Sequence, residues 1–299
     1  MSLTLCIYLY MFTQILICTD FSDGLHRLAH FVSSLEKTGV KQIVFLHTVP
    51  FSDKGVIVRV DSDKIEQAQT RLAEAIGESP AGVEVKIEVQ SGKPVETILK
   101  VARTYQSQLI IVGSQSRSSI AEKFVGSTMA DLSRQTKIPL LVLRPQLIAA
   151  YTNEELALRC QHLFRSLLIP YNQSQVADSL IEQIKQLAQK PGEYFQKCKL
   201  CWILESSGRR DVPVKVSPQQ AQETLSIIKA DLEKLNLQVY TEVREGSSVT
   251  TILDIAVMED ITAIAISSGT IGKLQEWLVS SFAAEILRQS WYPVLFFPS

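Results

Sequence analysis

A chain that contains its own pattern twice can only fold into a doubled architecture. Shifted by 154 positions, Gly92 falls on Gly246, Val95 on Val249, Thr97-Ile98-Leu99 on Thr251-Ile252-Leu253, and Ala102 on Ala256. At the same shift Arg134-Gln135 falls on Arg288-Gln289 and Pro139 on Pro293, while at 152 Leu16-Ile17 falls on Leu168-Ile169. Self-similarity at a fixed spacing marks a repeated structural unit. The 299 residues have room for two domains of about 150 residues each. The expected division is domain 1 over residues 1–146, a polar and partly helical linker over 147–162, and domain 2 over 163–299.

Within the first half, apolar runs alternate with helical patterns. Gln14–Thr19 and Gln42–Val49 are short and continuously apolar, as strands covered on both faces are. Between them Leu25, Leu28, Ala29, Val32 and Leu35 recur at helical spacing up to Gly39. Asp61 or Ser62 can cap a helix carrying Ile65, Ala68, Leu72, Ala75 and Ile76. Val83–Val89 alternates as a strand, Gly92-Lys93-Pro94 turns into a helix, and Leu109–Val112 and Leu140–Leu143 are further strands. The order predicts an α/β fold: two tandem doubly wound, Rossmann-like domains with five-stranded, mainly parallel sheets. Ligands in such sheets sit beyond the carboxyl ends of the strands, where Asp20, Thr48 and Gly113 would meet. The terminal strands Leu140–Leu143 and Val294–Phe297 would each be an open edge alone, and such edges pair or aggregate.

Composition narrows the functional classes. A net charge of −1 gives no electrostatic case for nucleic acid or an anionic membrane. The apolar start, Leu3 to Cys18, is interrupted by Thr4, Thr13 and Gln14 and is too short for a membrane span. Residues before Met11 read as an extension, as from an upstream start codon. The five cysteines, odd in number and sparse, fit a reducing cytoplasm.

The stretch with the most chemical content is Leu109–Arg144. A strand reaches Gly113, a polar loop follows, and Gly126-Ser127-Thr128 opens a helix. The first N–H groups of a helix lack internal partners, and hydroxyls beside them add adjustable donors, so this is how an anion site is built. The spacing Gly113-x2-Ser116-x9-Gly126-Ser127 resembles the phosphate-binding signature of the universal stress protein family, Gly-x2-Gly-x9-Gly-Ser/Thr, with Ser116 at the second glycine. Ile15-Leu16-Ile17-x-Thr19-Asp20-Phe21-Ser22, Val44-Phe45-Leu46-His47-Thr48-Val49, Gly92-x-Pro94 and Ile138-Pro139-Leu140 extend that resemblance over about residues 12–146 in family order. The resemblance implies ATP or another adenine nucleotide, with Mg2+ an open companion. Asp20 would meet the adenosine portion and the backbone around Thr48 the adenine. Gly113, Ser116, Arg117, Gly126, Ser127 and Thr128 would line the phosphates. It also implies dimerisation through the last strand, so that Leu140–Leu143 and Val294–Phe297 should pair the two halves with each other as an internal pseudo-dimer. A further homodimer and an unidentified protein partner stay open.

The second half keeps the pattern and loses the chemistry. Asp20 maps to Asn172, Gly113 to Ser267, Ser116 to Thr270, Gly126 to Ser280 and Ser127 to Ser281. Gly269 and Gly272 stand at other spacings, and Gln275, Trp277 and Leu278 could fill the space of a nucleotide. The second site is therefore expected to be empty or occluded, its domain a scaffold. Cys198-x2-Cys201 with Cys160-x-His162 is a formal four-ligand set, but an odd separation within a strand sends two thiols to opposite faces. His26 and His30, four apart, would share a helix face without an acidic partner, and His47 reads as a core histidine. No catalytic residue or metal ligand emerges, so the expected role is regulatory, with at most weak ATP hydrolysis. The alternative is a protein of the same fold that binds no nucleotide and acts through its surface. A slow nucleotidase is a third reading.

Overall fold

The computed structural model describes residues 12–21, 24–51, 60–114, 127–189, 194–205, 216–267 and 282–298. The first half contributes β1 (Gln14–Thr19), β2 (Gln42–Val49), β3 (Glu84–Ser91), β4 (Leu109–Gly113) and β5 (Leu140–Leu143). The second contributes β6 (Ser166–Pro170), β7 (Lys197–Leu204), β8 (Gln238–Glu245), β9 (Ala263–Ser267) and β10 (Val294–Phe297). They form one ten-stranded sheet in the order β3-β2-β1-β4-β5-β10-β9-β6-β7-β8. The two expected five-stranded sheets are thus continuous. Every neighbour pair is parallel except β5 with β10, which run antiparallel and join the halves.

The register at that join is informative. Leu141 faces Leu295, its own counterpart at the repeat spacing, with Val142 opposite Val294 and Leu140 opposite Phe296. Equivalent residues meet in this way only where a pseudo-two-fold axis passes between them. All eight residues of β5 and β10 are buried to 4% exposure or less, so a strand that would be an open edge in either half is covered.

Helices lie on both faces. The alternation of side chains along each strand divides the interior accordingly. On one face Ile15, Ile17, Leu109 and Ile111, with Leu167 and Ile169 of the second half, pack under α1 (Val32–Glu36), α2 (Ser62–Ile76), α6 (Asn153–Gln161), α7 (Gln175–Ala188) and α8 (Pro218–Glu233). On the other, Leu16, Ile110 and Val112, with Leu168, Ile264 and Ile266, pack under α3 (Pro94–Thr104), α4 (Ser127–Gln135), α9 (Ser248–Met258) and α10 (Phe282–Gln289). Each fully buried Leu, Ile or Phe contributes about 1.5–3 kcal/mol of transfer free energy, and both layers run across the join. Between the halves lie α5 (Pro145–Ala150) and α6, the latter started by a reciprocal cap between Thr152 and Glu155.

Two local readings change. Residues Leu25–Phe31 form a 3-10 helix ahead of α1, where one continuous α-helix was expected. Three residues per turn do not stack positions i and i+4, so His26 is half-buried while His30 is exposed. The cap of α2 resolves to Asp61, whose carboxylate accepts from the Lys64 N–H at 3.2 Å.

What survives of the repeat is geometric. Gly92 and Gly246 have φ of 158° and 152°, and a Cβ on either would come within 2.7 Å of a threonine hydroxyl, Thr97 or Thr251. Glycine and threonine were kept together in both copies because each leaves room for the other.

Candidate functional site

In the first half the strand order reverses direction at β1, with β2 and β3 on one side and β4 and β5 on the other. The carboxyl ends of β1 and β4 therefore diverge into helices on opposite faces and leave a crevice between them. Ile17 pairs with Ile111, so the end of β1 and Gly113 at the end of β4 stand at the same level. Thr19 pairs with His47 on the adjoining strand, which sets Thr48 one step beyond. Asp20 is exposed just after β1, Thr48 is half-buried and paired with Gln90, and Gly113 is half-buried and paired with Leu143. Thr128 lies half-buried in the first turn of α4, which Ser127 opens. Asp20, Thr48, Gly113 and the start of α4 are thus brought to one end of the sheet. Ser116, Arg117 and Gly126 lie outside the described residues, as does Phe124.

The backbone after β4 is fixed before it leaves the sheet. Buried Ser114 donates its N–H to the Leu143 carbonyl at 2.9 Å, and its hydroxyl to the same oxygen at 3.4 Å. Gly113 is consequently held at the rim by ladder bonds on the β5 side.

Sequence reading missed a cluster beside Asp20. Phe21 has a positive φ of 64°, and its N–H donates to the Thr19 hydroxyl at 3.1 Å. That turn puts its ring 4.4 Å from the His47 ring and 5.7 Å from that of His26, with the Arg71 guanidinium 4.4 Å over its face. His47, expected as a core histidine, is half-buried and held by the main chain: its Nδ1 lies 2.9 Å from the Thr19 carbonyl oxygen. A carbonyl can only accept, so Nδ1 carries the proton. Burial pushes the His47 pKa below the ordinary 6.5, against the Thr19 hydrogen bond and Asp20, which raise it. Burial and then Arg71 lower that of His26. The left-handed φ of Phe21 places its ring under Arg71, which comes from a distant helix and also lies 3.5 Å from His26 Nε2; no spacing in the sequence announces it.

The second half has a cleft at the corresponding place. Its volume is about 1020 Å³, and it lies beyond Pro170, Leu204 and Ser267, the last residues of β6, β7 and β9. Tyr171 and Trp202 stand edge to face at 5.5 Å in its wall. Asn172, at the position of Asp20, accepts from both the N–H and the hydroxyl of Ser174, at 3.2 and 2.7 Å. Gly269, Thr270, Gly272, Gln275, Trp277, Leu278, Ser280 and Ser281 lie outside the described residues.

The cysteines form no common site. Cys198 belongs to the core on one face of the sheet and Cys201 to the core on the other. Burial pushes the thiols of Cys160, Cys198 and Cys201 each up to about 12. Among the described residues no group of three or more His, Cys, Asp or Glu side chains is arranged to hold a metal ion. Among them, too, no helix is long and apolar enough to cross a membrane.

Comparison with known proteins gives the same doubled pattern. The model of the Universal stress protein family matches residues 11–144 and again residues 163–298. A universal stress protein from Archaeoglobus fulgidus is similar over 96% of this chain and 97% of its own, with 20% identity and a TM-score of 0.68. A putative universal stress protein from Pseudomonas aeruginosa is similar over 96% and 93%, with 15% identity and a TM-score of 0.59. At such identities these two solved structures bear on the fold alone. No curated protein matches the chain.

Proposed function

We propose, from the premise that the chain belongs to the universal stress protein family, that its first half is a regulatory adenine-nucleotide site and its second half a partner domain that serves as scaffold. The observation that carries this reading is the convergence of Asp20, Gly113 and the N-terminal turn of α4 on the crevice between β1 and β4. A main chain that turns at glycine into a helix start offers amide donors to an anion, and a carboxylate across the crevice suits the hydroxyls of a sugar. Thr128 adds a hydroxyl to that first turn. No general base stands beside the phosphate end among the described residues, which favours binding and signalling over turnover. A nucleotide held only by the folded form stabilises it, and that is the physical basis of a regulatory response.

Mass spectrometry of the natively purified chain should find an adenine nucleotide. Millimolar ATP, with and without Mg2+, should raise its melting temperature, and Gly126→Arg should abolish both effects. A chain that carries no nucleotide and shows no thermal response to ATP would overturn the reading in favour of a surface-acting protein. Phosphate release that Asp20→Asn abolishes would instead make it a slow nucleotidase.

A further inference from the structure

The cleft of the second half has walls of the wrong sign for a nucleotide. Glu205, Glu245 and Glu285 stand around it, and no lysine, arginine or histidine lines it among the described residues. None of the three carboxylates is ion-paired with a described residue. At the repeat spacing Ser91 and Lys93 of the first half correspond to Glu245 and Ser247 of the second, whereas Glu285 has an acidic counterpart in Asp131.

Among the described residues four helices start at the cleft, α7, α8, α9 and α10; the N-cap Ser247 of α9 makes no side-chain cap bond, whereas α7 and α8 are each closed by their own cap. The Ser174 hydroxyl accepts from the Ala177 N–H at 3.2 Å, and that of Ser217 from the Gln220 N–H at 3.2 Å. Gln220 in turn accepts from the Ser217 N–H at 3.0 Å. The Ser248 hydroxyl donates to Glu205 at 2.6 Å, leaving that carboxylate in place but not neutralised. Below this rim the wall is apolar and aromatic, with buried Leu180, Ile252 and Ile266 beside Tyr171 and Trp202.

We infer that this cleft binds an organic cation: a protonated or quaternary amine on an aromatic or aliphatic frame. The frame lies against the Tyr171–Trp202 wall, and the ammonium faces the three carboxylates. Low-dielectric walls concentrate the field of the rim charges on the interior, and aromatic faces favour ammonium groups. A volume of about 1020 Å³ admits a ligand larger than a single amino acid. This goes beyond the nucleotide reading and concerns the other half of the chain.

The test uses the full chain and three probes of one frame: 2-naphthylmethylammonium, 2-naphthylmethanol and 2-naphthoate, titrated by calorimetry at low ionic strength. The ammonium should bind at least tenfold tighter than the alcohol, and the carboxylate should not bind. The combined variant Glu205→Gln, Glu245→Gln, Glu285→Gln should bring the ammonium down to the level of the alcohol. A control with the same charge change on and just after α2, Glu66→Gln, Glu74→Gln, Glu78→Gln, should leave it unchanged, as should Gly126→Arg. Equal binding of the naphthoate, no binding of the ammonium at millimolar concentration, or an equal loss in the α2 control would each overturn the inference. ATP bound by the chain but lost in Gly126→Arg, with ammonium binding intact, would separate the two sites.

Discussion

Arg144 offers a direct test of how firmly the halves are joined. It follows β5 of the first half and caps α10 of the second. Its Nε donates to the Ser290 carbonyl at 2.7 Å and its Nη2 to the Leu287 carbonyl at 3.1 Å, with a further bond to the Arg288 carbonyl. These are C-terminal carbonyls that no amide of the helix can satisfy. The guanidinium is half-buried, 6.0 Å from the Trp291 ring centre. Arg144→Ala removes two part-buried charged hydrogen bonds at about 1.5 kcal/mol each. It also removes about 0.5 kcal/mol of charge–dipole attraction at the helix end. The Arg288 carbonyl faces water and regains a partner. The expected loss is therefore about 3–4 kcal/mol. Lysine keeps the charge but not the fork, and Arg144→Lys should recover about half of it. Urea unfolding followed by circular dichroism measures the difference. Arg134→Ala is the control: its ion pair with Asp131 is solvent-exposed and should cost at most about 0.5 kcal/mol. A loss at Arg144 no larger than at Arg134 would refute the reasoning.

Other outcomes follow from the same geometry. Gly92→Ala and Gly246→Ala should each destabilise by about 1–3 kcal/mol in urea unfolding, because a Cβ meets a threonine hydroxyl at 2.7 Å in both. The folded pKa of His47 lies below its ordinary 6.5, so the unfolded chain binds more protons just below that pH. Its contribution to stability is then complete above pH 6.5 and is lost as pH falls through the folded pKa. His47→Gln should flatten that acid limb in pH-dependent melting. Cys160, Cys198 and Cys201, with thiols pushed up to about 12, should resist alkylation at pH 8 until the chain is unfolded, as read by intact mass.

Much of this architecture is legible in the residues, for reasons that differ element by element. The runs at Gln14–Thr19 and Gln42–Val49 read as parallel strands because burial on both faces leaves no polar alternation to confuse the period. The opposed thiols of Cys198 and Cys201 follow from strand pleating alone. The 3-10 stretch Leu25–Phe31 was not legible, since its apolar spacing also satisfies an α-helix and the choice is made by packing. Arg144 was invisible for another reason: its acceptors lie 143 to 146 residues away, and nothing local marks a side chain that caps a distant helix. In the first cleft, residue types and topology indicated Asp20, Thr48 and Gly113, but the Phe21–Arg71 stacking depends on one backbone angle. In the second, loss of the glycine motif drew attention away from phosphate. The charge of what replaced it appears only when Glu205, Glu245 and Glu285, from two strand ends and a helix, are seen around one space.

The facing of Leu141 on Leu295 has a consequence for how such a chain can change. A symmetric pair of separate chains must mutate both members at once and can come apart on dilution. Here the contact is intramolecular, so its strength does not depend on how many copies a cell holds. Each module can change at its own strand ends while the other keeps it folded, and the two stay joined in every molecule.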